Sequence, residues 1–310
     1  MRIIFMGTPD FAVASLKALI EAGEEVVAVV TGPDKPAGRG QKMHSSAVKQ
    51  FAVSQNIPVL QPVKLRDPEF LEELKSFQAD LQVVVAFRML PEIVWNMPPK
   101  GTINVHASLL PNYRGAAPIN HAILNGEKSS GVTTFLLQHE IDTGNILFFT
   151  EVPITETDNA GDLHDKLMVA GAELLIKTVN AIKEGNVNPI PQDELSSNQE
   201  LKHAPKIFKE DCLIDWDKST EEVFNQIRGL SPYPAAFTYL DDKVLKIYSA
   251  EKEVVGHSEK PGSYISDGKT NIKFATADGF ISLSEIQIEG KKRMAVTDFL
   301  RGYRLDKLAD

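Results

Sequence analysis

Asn104, His106 and Asp142 are the residues of this chain whose types and spacing could carry out chemistry. In the stretch INVHASLLP, Asn104 and His106 alternate with Ile103 and Val105, and a β-strand with this spacing places the amide and the imidazole on one face. An amide NH2 and a protonated imidazole both donate hydrogen bonds, so the pair can stabilise a developing oxyanion. The alternative interpretation is a core asparagine and histidine whose polar atoms bind backbone groups.

Asp142 stands in the stretch HEIDTG, 36 residues after His106. An aspartate before Thr-Gly is often there only because it favours a turn. However, the amide, the imidazole and the carboxylate each fall at the end of a predicted strand, which is where open α/β sheets bind ligands. Together they predict an acid/base and oxyanion-stabilising site.

The elements that must position these groups alternate between strands and helices. Short β-rich runs alternate with helical patterns. The β-rich runs are RIIFMG, EVVAVVT, PVLQ, LQVVVAF and GTINVHA, and the helical patterns are DFAVASLKALIEAG, SSAVKQFAVSQN and PEFLEELKSFQ. This alternation predicts parallel crossovers and an open α/β sheet with helices on both faces. A helix over APINHAILNG, a hairpin of GVTTFLLQ with NILFFTEVPI and a long amphipathic helix over 160–185 complete this part.

The second part of the chain has a different pattern. Residues 186–205 are rich in Pro, Asn, Gln and Ser without periodicity, which is typical of a linker. A helix over STEEVFNQIRGL and short strands separated by Asp-Asp, Asp-Gly and Gly then predict a small antiparallel barrel. We therefore expect a catalytic domain over 1–185, a linker over 186–205 and a β-rich domain over 206–310.

Composition excludes several classes of protein. The formal net charge of −9 argues against nonspecific coating of nucleic acid, and the single Cys212 allows neither an internal disulfide nor a cysteine-based metal site. The chain has no Gly-x-Gly-x-x-Gly after its first strand, no Gly-x-x-x-x-Gly-Lys-Ser/Thr and no His-Glu-x-x-His. We expect no metal, no membrane association, a cytoplasmic location and a monomer.

One segment is basic within an otherwise acidic half. The stretch TGPDKPAGRGQKMHSSAVK carries Lys35, Arg39, Lys42 and Lys49 against a single acid, Asp34, with several glycines and prolines. Such a segment is often only a solvated connector. Its charge nevertheless makes it the candidate to contact a phosphate backbone.

The motifs of the chain resemble those of a known family. The chain resembles the methionyl-tRNA formyltransferase family in the stretches NVHASLLPNYRGAAPI, DTG, PDKPAGRG, IIFMGTPDFA and IRGLSPYPAAFTYL. The resemblance covers essentially the whole chain. The motif NVHxSLLP with its distal Asp is shared with other enzymes that use 10-formyltetrahydrofolate. PAGRG and the C-terminal part narrow the resemblance to the tRNA enzymes.

The resemblance implies a Rossmann-like formyltransferase domain followed by an OB-like barrel that helps to bind tRNA. It implies transfer of a formyl group from 10-formyltetrahydrofolate, as co-substrate, to the α-amino group of methionine on initiator methionyl-tRNA. The catalytic residues would be Asn104, His106 and Asp142. Folate binding would involve Ser108, Leu109, Leu110 and Pro111, and tRNA binding would involve Arg39, Lys35 and Lys42.

The sequence departs from the family at Phe87-Arg88, where relatives often have Tyr-Gly beside the expected pterin pocket, and at Tyr113, where many have Trp. Two alternatives remain open. A formyltransferase for a sugar amine or glycinamide ribonucleotide would share the three catalytic residues but would not need the basic loop and the second β-rich domain. A noncatalytic tRNA-binding module would need neither the amide nor the imidazole.

Overall fold

The computed structural model describes residues 1–37, 42–195 and 200–305. Its described elements group into two compact units. The first consists of Met1–Gly115, Ser130–Pro153 and His164–His203. The second consists of Ala116–Ser129, Ile154–Leu163 and the chain from Ala204 onwards. The predicted division into a catalytic domain over 1–185, a linker over 186–205 and a β-rich domain over 206–310 stays a prediction.

The first unit is built on a sheet with the strand order β10-β9-β7-β6-β1-β2-β5. The strands of this sheet are β1 (Arg2–Gly7), β2 (Glu25–Val30), β5 (Val59–Leu60), β6 (Leu81–Val85), β7 (Thr102–His106), β9 (Ser129–Leu136) and β10 (Ile146–Pro153). The strands from β7 through β6, β1 and β2 to β5 are parallel, whereas β9 runs antiparallel to β7. The predicted Rossmann-like core is confirmed, with the predicted β9–β10 hairpin added at its edge.

Helices follow the strands as the hydrophobic periodicity predicts. The predicted helices are α1 (Asp10–Glu21), α2 (Ala47–Ser54), α3 (Pro68–Ser76) and α6 (Ala160–Glu184). The short helices α4 (Glu92–Trp95) and α7 (Gln192–Leu195) were not predicted. In α1, the buried side chains include Phe11, Ala12, Leu16 and Leu19, at the three- to four-residue spacing of one helix face. Gly171 of α6 lets this helix approach β7, since a Cβ there would lie 3.3 Å from Val105.

The basic segment contains structure that its composition did not predict. A short antiparallel hairpin is formed by β3 (Lys35–Ala37) and β4 (Lys42–His44). The base of this hairpin is anchored, because Lys49 Nζ donates to Asp34 Oδ2 at 2.6 Å and lowers the pKa of that carboxyl group. Lys49 is therefore engaged in an ion pair, whereas Lys35 is exposed.

The second unit contains a curled antiparallel sheet with the strand order β12-β13-β16-β15-β14, and β17 also pairs with β16. The elements of this unit are α5 (Pro118–Leu124), η1 (Glu210–Cys212), α8 (Thr220–Leu230), β12 (Ala236–Leu240), β13 (Lys243–Val254), β14 (Tyr264–Ser266), β15 (Ile272–Ala275), β16 (Gly279–Ile288), β17 (Met294–Ala295) and α9 (Val296–Gly302). The short strand β8 (Arg114–Gly115) belongs to the first unit, and β11 (His203–Ala204) has one residue in each. Register shifts in β13 near Ser249 bend the sheet, as bulges do in small barrels. The predicted OB-like fold is confirmed in this curled form.

Helix α8 begins as its sequence predicts. Ser219 accepts a hydrogen bond from the Glu222 backbone N–H, and the Glu222 side chain accepts from the Ser219 backbone N–H, which forms a capping box. The buried side chains of α8, Val223 and Ile227 among them, pack into the core of the curled sheet. No helix among the described residues is long and apolar enough to span a membrane.

Candidate functional site

Strand β7 places Asn104 and His106 on one face, as the alternation of polar and apolar residues predicted. Ile103 and Val105 are fully buried, His106 is 7% exposed and Asn104 is partly exposed. Within the described residues, the Asn104 side chain makes no hydrogen bond. A core asparagine satisfied by backbone groups is therefore not what β7 carries, and the amide is available to a ligand.

His106 is held through one ring nitrogen. Nε2 lies 3.0 Å from the carbonyl oxygen of Tyr113. Because a carbonyl only accepts hydrogen bonds, Nε2 must carry a proton, and the neutral ring then has its lone pair on Nδ1. Nδ1 faces Asp142, whose Oδ2 atom lies 3.8 Å away. The ring is thus fixed in orientation while Nδ1 remains the nitrogen that can exchange a proton.

The loop after β7 folds back so that its last residue, Tyr113, contacts His106. The Ser108 hydroxyl donates to Asn112 O at 2.8 Å, and Thr133 of β9 donates to Ser108 O at 2.7 Å and accepts from Leu110 N at 3.1 Å. Tyr113, at the end of this turn, adopts the left-handed region with φ +61°, and its carbonyl oxygen is the one that accepts from His106. Sequence reasoning missed this carbonyl, since a residue's type does not reveal where its backbone oxygen points.

The residues predicted to bind folate lie in the same loop. Ser108, Leu110 and Pro111 are buried, and the partly buried Leu109 side chain packs on Gly131, where a Cβ would approach within 2.4 Å of it. Their side chains are thus used for packing within the protein. Any contact that this segment makes with a ligand must come chiefly from its backbone.

The segment with the unusual Phe87-Arg88 follows β6, the parallel neighbour of β7. Arg88 donates to the carbonyl oxygens of Val63 and Pro62, and the left-handed residue here is Ala86, with φ +47°. The arginine therefore stands where no glycine conformation is required.

Asp142 occupies the turn between β9 and β10. It has φ +55°, and its Oδ2 atom accepts a hydrogen bond from the Gly115 backbone N–H at 3.0 Å. Its side chain is 13% exposed. The structure therefore brings Asp142 to His106, as predicted, across 36 residues of sequence.

Gln192 of α7 is a site residue that the sequence did not indicate. It is 2% exposed and bonds both to Arg114, in the loop after β7, and to backbone oxygens of the Asp142 turn. The residue lies in the segment 186–205, whose composition gave no signal of burial.

The residues predicted to contact tRNA are described only in part. Lys35 is exposed on β3, and Lys42 lies on β4. Arg39 lies outside the described residues. Over residues 1–37, 42–195 and 200–305, no group of three or more His, Cys, Asp or Glu side chains is arranged to hold a metal ion.

Comparison with known proteins gives a consistent result. A family model described as "Formyl transferase" matches residues 1–179, and one described as "Formyl transferase, C-terminal domain" matches residues 206–304. A protein named methionyl-tRNA formyltransferase from Bacteroides thetaiotaomicron is 54% identical over 310 residues, covering 98% of this chain and 96% of its own.

Two solved structures share the fold. HypX from Aquifex aeolicus, in complex with tetrahydrofolic acid, has a TM-score of 0.66 and 20% identity over 99% of this chain, which spans only 48% of that protein. WlaRD, a sugar 3N-formyl transferase solved in the presence of dTDP and 5-N-formyl-THF, has a TM-score of 0.67 and 23% identity over 94% of this chain and 99% of its own. With both domain models and full-length identity above one half, the chain belongs to the formyltransferase family and, within it, to the one-carbon transferases known as methionyl-tRNA formyltransferases.

Proposed function

We propose that the protein transfers the formyl group of 10-formyltetrahydrofolate to the α-amino group of methionine on initiator methionyl-tRNA. The observation that carries the proposal is the arrangement at the end of β7. There, the Asn104 amide, which has no hydrogen-bond partner in the described part of the chain, stands on the same strand face as an imidazole whose Nδ1 atom is 3.8 Å from the Asp142 carboxylate. This is a set of groups for moving one proton and stabilising one oxyanion.

The reaction needs both of those capacities. The amine nitrogen attacks the formyl carbon, which forms a tetrahedral intermediate with a negative oxygen. The bond from that carbon to N10 of the folate then breaks, and one amine proton ends on N10. The Asn104 amide donates to the oxyanion, and His106 Nδ1 relays the proton. Asp142 orients the ring through Nδ1, and its negative charge would offset the positive charge that the ring carries during the proton relay.

The proposed donor is supported by the fold and by the loop after β7. The two similar structures were solved with tetrahydrofolic acid or 5-N-formyl-THF. In this chain the segment 108–111 directly follows the imidazole strand and has its side chains packed inward. We infer that its backbone N–H and C=O groups bind the folate beside His106, with Ser108, Leu109, Leu110 and Pro111 as the segment involved.

The proposed acceptor is a tRNA because of its anionic backbone. The basic segment of the sequence contains Lys35, Lys42 and Arg39 in a chain of net charge −9, and phosphate contacts depend on such local patches. Lys35 is exposed as this role requires. We infer that the OB-like unit also contacts the tRNA, that the protein acts as a monomer and that it works in the cytoplasm, where charged tRNA is found.

The experiment that tests the proposal is transfer of labelled formyl from 10-formyltetrahydrofolate to methionyl initiator tRNA. Methionyl elongator tRNA, glycinamide ribonucleotide and an amino sugar nucleotide serve as competing acceptors. We expect formylation of the initiator alone. His106→Ala should lower turnover about a hundredfold or more while leaving folate binding largely intact. Formylation of a small amine in place of the tRNA would refute the acceptor, and near-normal turnover of His106→Ala would remove this residue from the mechanism.

A further inference from the structure

We propose that Gln192 is a positioning residue that holds the Asp142 carboxylate opposite His106, a role that rests on the proposed function of these two residues. Gln192 is 2% exposed although it is polar and belongs to the segment without periodicity between the two parts of the chain. A buried amide is costly unless its hydrogen bonds are made. The partners of this amide explain its position.

All four hydrogen-bonding positions of the Gln192 amide are used. Its oxygen accepts from Arg114 Nε at 2.9 Å and from Arg114 Nη2 at 2.6 Å. Its NH2 group donates to Asp142 O at 2.9 Å and to Gly144 O at 2.8 Å. A glutamine amide has two acceptor and two donor positions, so no other uncharged side chain of this length could replace it.

These four bonds join the two segments that carry the Asp142 hydrogen bond. Gly115, whose N–H donates to Asp142 Oδ2, directly follows Arg114. The amide oxygen of Gln192 therefore fixes Arg114, the residue next to the donor Gly115, and its NH2 group fixes the backbone of Asp142 itself. With both ends held, the carboxylate is kept at 3.8 Å from His106 Nδ1.

The Asp142 turn needs such support because of its own geometry. Asp142 has φ +55°, in a region that a non-glycine residue adopts at some cost. Gly144 is packed so closely that a Cβ would lie 1.6 Å from Leu136 O. Exposed bonds of this loop, such as Gln138 Nε2 to Thr143 Oγ1 at 3.0 Å, compete with water. The two bonds from Gln192, of which the one to Gly144 O is buried and the one to Asp142 O is partly buried, are thus the better candidates to fix the turn.

Two substitutions separate the halves of this interaction. Gln192→Met keeps the length of the side chain and removes all four bonds. Gln192→Glu keeps the acceptors for Arg114 but cannot donate to the oxygens of Asp142 and Gly144. The matched control is Gln138→Met, which removes a bond from the same residue type in the same loop at an exposed position. Each variant is first compared with the wild type by thermal unfolding, and assays are run well below the lowest Tm.

The first readout does not depend on activity. The Gly115 N–H is protected from hydrogen exchange by Asp142 Oδ2, and loss of the clamp should expose it. We expect its exchange to become at least about tenfold faster in both Gln192 variants and to stay unchanged in Gln138→Met. Unchanged exchange in both Gln192 variants would overturn the proposal. This result does not depend on the proposed function, because it can be obtained whether or not the wild type transfers a formyl group.

The second readout is kinetic. We expect both Gln192 variants to lower kcat at least about tenfold with KM for folate and tRNA changed less than about threefold, as for a group that acts only in the transition state. In an Asp142→Asn background, Gln192→Met should lower kcat by less than about threefold, because the residue it positions no longer has its charge. Equal effects in both backgrounds, or wild-type kcat in Gln192→Glu, would show that Gln192 does not act through Asp142. If Gln192→Met does not fold, Gln192→Glu takes its place in both measurements.

Discussion

Asp142→Asn is the substitution that tests the arrangement of the site most directly. The Asp142 and His106 side chains are 13% and 8% exposed, and Oδ2 lies 3.8 Å from Nδ1. At this distance and an effective dielectric constant of about 20, attraction between the carboxylate and a protonated ring is about 4 kcal/mol. Since about 1.4 kcal/mol corresponds to a factor of ten, we expect kcat to fall by about a hundred- to a thousandfold.

The shape of the site should survive this change. Asparagine has the dimensions of aspartate, and its side-chain oxygen can still accept the Gly115 N–H. The measurement is formyl transfer to methionyl initiator tRNA with saturating folate, together with Tm. The control is Glu140→Gln, which removes one charge from an exposed position of the same turn. An Asp142→Asn enzyme that keeps more than about a tenth of wild-type kcat would refute the electrostatic argument, since 4 kcal/mol predicts far more.

Three further changes have expected outcomes. Asn104→Ala should lower kcat about a hundredfold while shifting Tm by little, because no hydrogen bond to a described residue is lost; a loss of Tm comparable to that of a core mutant would contradict this. Hydrogen bonds from Thr220 lower the pKa of Asp278 below its value in the unfolded state. The ionised carboxylate therefore stabilises the fold at pH values above the unfolded-state pKa, and this stabilisation is lost as the pH falls through the folded-state pKa. Asp278→Asn should therefore be less stable than the wild type at pH 6 in urea, and this difference should shrink below about pH 4; a pH-independent difference would exclude the carboxylate as its cause. Lys35→Ala should raise KM for tRNA about two- to fivefold and flatten its salt dependence without changing KM for folate, and equal salt slopes would exclude a phosphate contact.

The sequence predicted those parts of the fold and site that depend on local periodicity. The alternation over β7 placed Asn104 and His106 on one strand, and the buried runs of β1, β2 and β6 predicted the parallel core. The Asp142 turn was found only through its motif and the strands on either side of it, because nothing local distinguishes it from other aspartate turns.

The parts that could not be predicted depend on backbone geometry or on long-range contacts. The Tyr113 carbonyl reaches His106 only because Tyr113 is left-handed, a conformation that tyrosine does not signal. Gln192 lies 78 residues from Arg114, and a segment of Pro, Asn, Gln and Ser has no pattern that would reveal a buried amide. For the same reason, the antiparallel direction of β9 beside β7 follows from topology rather than from the composition of either strand.

The three groups of the site are prepared for the reaction to different degrees. The His106 ring donates a hydrogen bond to Tyr113 O, and the Asp142 carboxylate accepts one from Gly115 N, so the proposed proton transfer needs little reorientation of either group. Of the three, only Asn104 has no side-chain partner among the described residues, so its donors are available for the role proposed for them at the oxygen of the formyl group. Donors aimed in advance at the place where charge develops stabilise a transition state more than donors that must first be turned. In the proposed reaction, the backbone after β7 and the Asp142 turn thus hold the two groups of the proton relay in place, and the Asn104 amide remains available to the substrate.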